Sequence, residues 1–128
     1  MAIEIAVLNP QGTAPVVDVL VGFANLASYT IALVPPDMDI SRALTIVQAR
    51  TPEEVEFDHP LPDGWQGRNG WFVVVVGGIG DPNGAGQFAV TARLIQDGQD
   101  TPMTTTIHAD DGGSAATFLC SVQLQVQA

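Results

Sequence analysis

Lysine is absent from this chain, and its basic residues are four arginines, Arg42, Arg50, Arg68 and Arg93, set against 14 carboxylates. The formal net charge is −10. A chain charged in this way repels phosphate backbones, which argues against nucleic acid as a partner, and it disfavours anionic membrane surfaces for the same reason. Without lysine there is no side chain for Schiff-base chemistry or for a phosphate loop. One cysteine, Cys120, excludes an internal disulfide. It sits in an apolar alternating run, the setting of a buried structural thiol. Aromatic residues make up 6% of the chain, so a core has to be built from Val, Ile, Leu and Ala. No run reaches the roughly 18 apolar residues that span a bilayer. Residues 1–7 lack the basic start and apolar centre of a secretory signal. A cytoplasmic location is the default expectation, with assembly into a particle or non-classical export as alternatives.

What remains is ample for a core. At 128 residues and 46% hydrophobic, the chain is expected to form one soluble domain over residues 1–128. Its apolar residues recur with period two. Ile3, Ile5 and Val7 alternate with Glu4, Ala6 and Leu8. Val17, Val19, Val21 and Phe23 form a second set, Tyr29, Ile31 and Leu33 a third, and Phe88, Val90, Ala92 and Leu94 a fourth. The last run is the clearest: Phe118, Cys120, Val122, Leu124 and Val126 share one parity, and Gln123, Gln125 and Gln127 the other. This is the pattern of half-buried antiparallel strands.

The punctuation fits. Asn9-Pro10-Gln11-Gly12, Asp81-Pro82-Asn83-Gly84, Asp97-Gly98 and Asp110-Asp111-Gly112-Gly113 combine residues that start turns with glycines that accept left-handed backbone. Residues 40–50 have partly helical spacing behind Asp39, but Thr45, Ile46 and Val47 favour a strand. A short strand is expected over residues 53–57. Residues 58–70, DHPLPDGWQGRNG, hold two prolines and three glycines and are expected to form an irregular loop. The sequence predicts an all-β, two-sheet antiparallel sandwich of eight to nine strands, with immunoglobulin-like topology favoured over a jelly roll.

Motifs for chemistry are sparse. His59 and His108 are the two histidines, each near an aspartate, but no nucleophile-elbow or Ser-x-x-Lys motif accompanies them. The glycines at 77, 78 and 80 do not lead into a helix, so they form no dinucleotide loop. Catalytic residues are therefore not expected, and a hydrolase using either histidine ranks third among the readings. Zinc lacks ligands. Calcium has a candidate set in Asp81, Asn83, Asp110 and Asp111, if the two turns converge. Trp65, in the same loop as His59, is a candidate for stacking on a sugar or anchoring a partner, the alternative being that Trp65 pins the loop down and Trp71 plugs the end of the core.

Residues 71–76, Trp-Phe-Val-Val-Val-Val, are apolar at both parities. A sandwich strand has one wet face, so something is expected to cover Trp71, Phe72, Val74 and Val76: either the 58–70 loop or another subunit. The leading expectation is a non-catalytic interaction or structural module that self-associates or joins a larger assembly. A small-ligand or carbohydrate-binding sandwich, assisted by calcium, is the alternative.

Overall fold

Branched and apolar residues at every second position give each strand one face to bury, and the chain resolves this demand by stacking two sheets. The computed structural model describes residues 4–21, 26–50, 58–80, 89–109 and 115–127. Among them are ten strands: β1 (Ile5–Leu8), β2 (Val16–Val21), β3 (Leu26–Val34), β4 (Leu44–Arg50), β5 (Asp58–Pro60), β6 (Phe72–Gly80), β7 (Val90–Gln96), β8 (Gln99–Pro102), β9 (Thr104–Ala109) and β10 (Ala115–Val126). The six-stranded sheet runs β1-β10-β6-β3-β4, with β9 also paired to β10. The four-stranded sheet runs β5-β2-β7-β8. Together they form the expected β-sandwich, with the core between them.

Three features differ from the sequence expectation. First, β1 pairs with β10 in parallel, whereas the other seven described pairings are antiparallel. β1 and β9 share one edge of β10: β9 lies along residues 116–121 and β1 along residues 123–126. Second, the described residues form ten strands, against the eight to nine or so expected. Short β5 lies inside the stretch expected to be irregular, and the chain changes sheets at Met103, which separates β8 from β9 and binds Ala92 O through its N–H at 2.9 Å. Third, residues 40–50 divide into a 3₁₀ turn over Ile40–Arg42 followed by β4. Asp39 does cap that turn, since its Oδ1 accepts from the Ser41 N–H at 3.1 Å and from the Ser41 hydroxyl at 2.6 Å. These two bonds pull the Asp39 carboxyl below its ordinary pKa. The strand expected at 53–57 lies outside the described residues.

The expected inward parities hold in β2, β3, β6, β7 and β10, while in β1 the order is reversed, with Ile5 and Val7 about half exposed and Ala6 and Leu8 buried. Val17, Val19, Ile31, Leu33, Val73, Val75, Leu94, Cys120, Val122 and Leu124 are all buried in one cluster. Tyr29, Gly77 and Phe118 form a cross-strand row over β3, β6 and β10. A Cβ on Gly77 would lie 2.8 Å from Tyr29 Cα and collide with Ser28 O. A glycine is needed there for β3 to approach β6 between two aromatic side chains. The Asp97-Gly98 turn closes the β7–β8 hairpin with φ of 51° and 81°, the two left-handed residues of a type I′ turn. At the same end Gln96 is buried. Its Nε2 donates to Asn9 O and Thr13 O, both at 2.9 Å, and its Oε1 accepts from the Asn9 N–H at 2.8 Å. This amide ties the 9–12 turn to the four-stranded sheet and leaves no buried polar atom of its own unpaired.

Candidate functional site

The loop following β5 runs through the sandwich margin rather than over an outer face. His59 pairs with Val17 across β5 and β2 and points into the core, 8% exposed. Its Nε2 and the Tyr29 hydroxyl share a hydrogen bond of 3.2 Å, with the two rings edge to face at 72°. Leu61 N–H donates to Pro15 O at 2.9 Å, and Leu61 itself is buried. Gly64, in the left-handed conformation, starts a 3₁₀ turn over Trp65–Gly67. That turn drives Trp65 into the core, where it is 3% exposed. Trp65 is thus a plug and presents no ring to solvent. Burying about 200 Å² of indole at about 25 cal/mol/Å² stabilises the fold by about 5 kcal/mol. The chain then crosses to the six-stranded sheet, where Gly70 N–H meets Leu124 O and Leu124 N–H meets Trp71 O, each at 2.8 Å. Trp71 is half-buried, with the Arg68 guanidinium 4.5 Å from its ring centroid.

Val76 on the outer face of β6 is 44% exposed, so the 58–70 loop, one of the two covers expected for that face, does not cover it there. The strand registers place the outward residues in rows. Thr106, Leu119, Val76, Thr30 and Gln48 make one row across β9, β10, β6, β3 and β4. Ser121, Val74 and Ala32 make the next, and Ile5, Gln123, Phe72 and Val34 the one after. Leu119 and Val76, directly opposite each other, are 47% and 44% exposed. Ile5 and Val7 at the edge are about half exposed. Phe72 and Val74 are half-buried between them. An apolar band thus crosses the sheet diagonally, interrupted by Gln123, whose Nε2 donates to Gly70 O at 3.2 Å.

Charge is segregated between the two sheets. The strands of the six-stranded sheet contain no Asp, Glu or Lys, and their one Arg is Arg50, the last residue of β4. The four strands of the other sheet contain Asp18, Asp58, Arg93 and Asp100. There Arg93 bridges Asp18 and Asp100, the latter at 2.6 Å. The periodicity that revealed the strands could not reveal this segregation, because it depends on which strands share a sheet.

The remaining sequence candidates that lie among the described residues do not converge. His108 is exposed on the outer face of β9, on the opposite sheet from buried His59. Among the described residues, a shallow hollow of about 340 Å³ beside it is lined by His108, Ala109, Ala115, Ala116 and Thr117, which include no carboxylate or thiol. A polar hollow of about 330 Å³ includes Asp97 and Gln96, but Asp97 Oδ1 already accepts from the Thr13 hydroxyl at 2.8 Å. Cys120 is fully buried, and desolvation raises its thiol pKa against a smaller opposing effect of the Thr105 hydroxyl. Asp81, Asn83, Asp110 and Asp111 lie outside the described residues. Among the described residues no group of three His, Cys, Asp or Glu is placed to hold a metal, and no helix is long and apolar enough to cross a membrane. No family model, curated protein or solved structure matches the chain.

Proposed function

We propose that this domain is a non-catalytic interaction or structural module that works by protein–protein contact through the outer face of its six-stranded sheet. The observation that carries the reading is the apolar band of Leu119, Val76, Val74 and Phe72 on a sheet whose strands hold no carboxylate, in a chain of net charge −10. Burying a charged side chain without a partner costs more than burying an unpaired Thr, Ser or Gln, and burying an aliphatic side chain is favourable. A face so composed is inexpensive to desolvate, and exposed apolar residues grouped on it favour contact. The carbohydrate-binding alternative loses support from the position of Trp65, which is turned into the core.

Site-specific photo-crosslinking in cells that make the protein tests the reading. A photoreactive residue replaces Leu119 in one variant. In another it replaces Thr91, which is exposed on β7 of the opposite sheet. Crosslinked protein species are expected from position 119 and not from position 91. If position 119 yields none, or both positions behave alike, the face is not an interaction surface.

A further inference from the structure

Building on that reading, we infer that the occupant of the face is a second copy of this chain, packed sheet to sheet about a two-fold axis near the Leu119–Val76 pair. Two observations select a second copy over a foreign partner. The first is electrostatic. Two chains of net charge −10 repel each other in most orientations, and a foreign partner would be recognised most readily by basic residues facing the carboxylates. The exposed apolar band instead occupies the sheet whose strands hold no carboxylate. Face-to-face pairing of that sheet points both four-stranded sheets, with Asp18, Asp58 and Asp100, away from the contact. Sheets stack about 10 Å apart, so the two outer layers of such a dimer stand about 30 Å from each other. The Debye length is about 8 Å at physiological salt, so their repulsion is largely screened.

The second observation is size and self-complementarity. Five strand rows about 4.8 Å apart, each about seven residues long at about 3.3 Å per residue, make a face of about 550 Å² in projection. With side-chain relief this approaches the roughly 800 Å² per partner of a standard stable interface. An isologous contact asks one surface to complement itself. A face of mainly aliphatic and small hydroxyl side chains, whose strands hold no carboxylate to oppose its own copy, meets that condition. β6 is the central strand of the five, and Val76 on it is paired with Leu119 on the neighbouring strand. An axis near this pair brings the exposed apolar side chains of each copy onto those of the other.

The test is the molar mass of the purified protein by size-exclusion chromatography with light scattering, up to about 0.5 mM protein. At about 0.15 M salt the expected mass is twice 13.4 kDa. At about 0.01 M salt, where screening extends over about 30 Å, the dimer is expected to dissociate at least tenfold more readily. The double substitution Leu119→Glu with Val76→Glu is expected to give a single-chain mass. The milder Leu119→Thr with Val76→Thr, which introduces residues already common on that face, is expected to weaken the dimer at least tenfold and guards against misfolding of the first variant. Leu20→Glu, on the outer face of the four-stranded sheet, is expected to leave the dimer unchanged. A single-chain mass at every concentration and salt overturns the inference, as does a dimer that survives both face variants or is lost with Leu20→Glu. A single-chain mass together with crosslinks from position 119 to other proteins overturns the second-copy assignment and leaves the interaction module standing.

Discussion

Adjacent Gly77 and Gly78 should respond in opposite ways to the same substitution. At Gly77 a Cβ points inward, 2.8 Å from both Tyr29 Cα and Tyr29 Cβ and in collision with the backbone of Ser28. Real Cβ atoms do not come this close to backbone, so β3 would have to move away from β6 along a ladder that spans the whole of both strands. Overpacking of this kind costs about 1–3 kcal/mol. Alanine recovers about 0.5–1 kcal/mol by restricting the unfolded chain. The net expectation for Gly77→Ala is a loss of about 1–2 kcal/mol. At Gly78 the Cβ points outward, and its nearest neighbour is Ala116 O at 3.7 Å, an ordinary contact. Gly78→Ala therefore keeps the gain, and stability should rise by about 0.5 kcal/mol. Urea titration of the two variants and the parent, followed by tryptophan fluorescence, reads both changes with a common m-value. Equal behaviour of the two variants, or a stabilised Gly77→Ala, would refute the argument that β3 and β6 are held at glycine distance.

Other outcomes follow from the buried residues. Trp65→Ala should destabilise the fold by about 3–5 kcal/mol, a large fraction of the stability of a domain of this size, and thermal denaturation would show it; a change below about 1 kcal/mol would mean that the indole is not a core plug. Tyr29→Phe removes the hydrogen-bond partner of buried His59 and should cost about 1–3 kcal/mol, measured by the same urea titration. Because burial raises the Cys120 thiol, the folded state holds its proton to higher pH than the unfolded state does. Stability is then full below the unfolded value near 9.0 and falls as pH rises beyond it. Cys120→Ala should flatten that alkaline fall, and the parent thiol should react with a disulfide reagent at pH 8 only after unfolding.

The strands were legible because a half-buried strand writes its own period into the sequence. β10 is the plainest case: Phe118, Cys120, Val122 and Leu124 are all buried, as their parity required. The Asp97-Gly98 turn was legible for a similarly local reason, since few residue pairs accept two successive left-handed conformations. Sheet membership was not legible. Nothing local tells β8 from β9, which are separated by Met103 alone and lie in different sheets. The depth of Trp65 was hidden as well, because a 3₁₀ turn among prolines and glycines has no period to read. In β1 the bulkier Ile5 and Val7 face out while Ala6 and Leu8 face in, a choice made by the parallel register with β10. The doubly apolar stretch at 71–76 marked apolar side chains on the outer face of β6, but that the strands beside it hold no carboxylate appears only once the sheet is assembled.

The parallel pairing of β1 and β10 also decides how the molecule bears tension. Its ladder includes the Gln123 N–H bonded to Glu4 O and the Gln127 N–H bonded to Leu8 O, both at 2.9 Å. A pull applied at Glu4 and Gln127 in opposite directions runs along these two strands from opposite ends. The bonds between them are then loaded together, in shear, instead of opening one after another as in a hairpin peeled from its tip. Resistance to extension is therefore expected to be greater along this axis than across it.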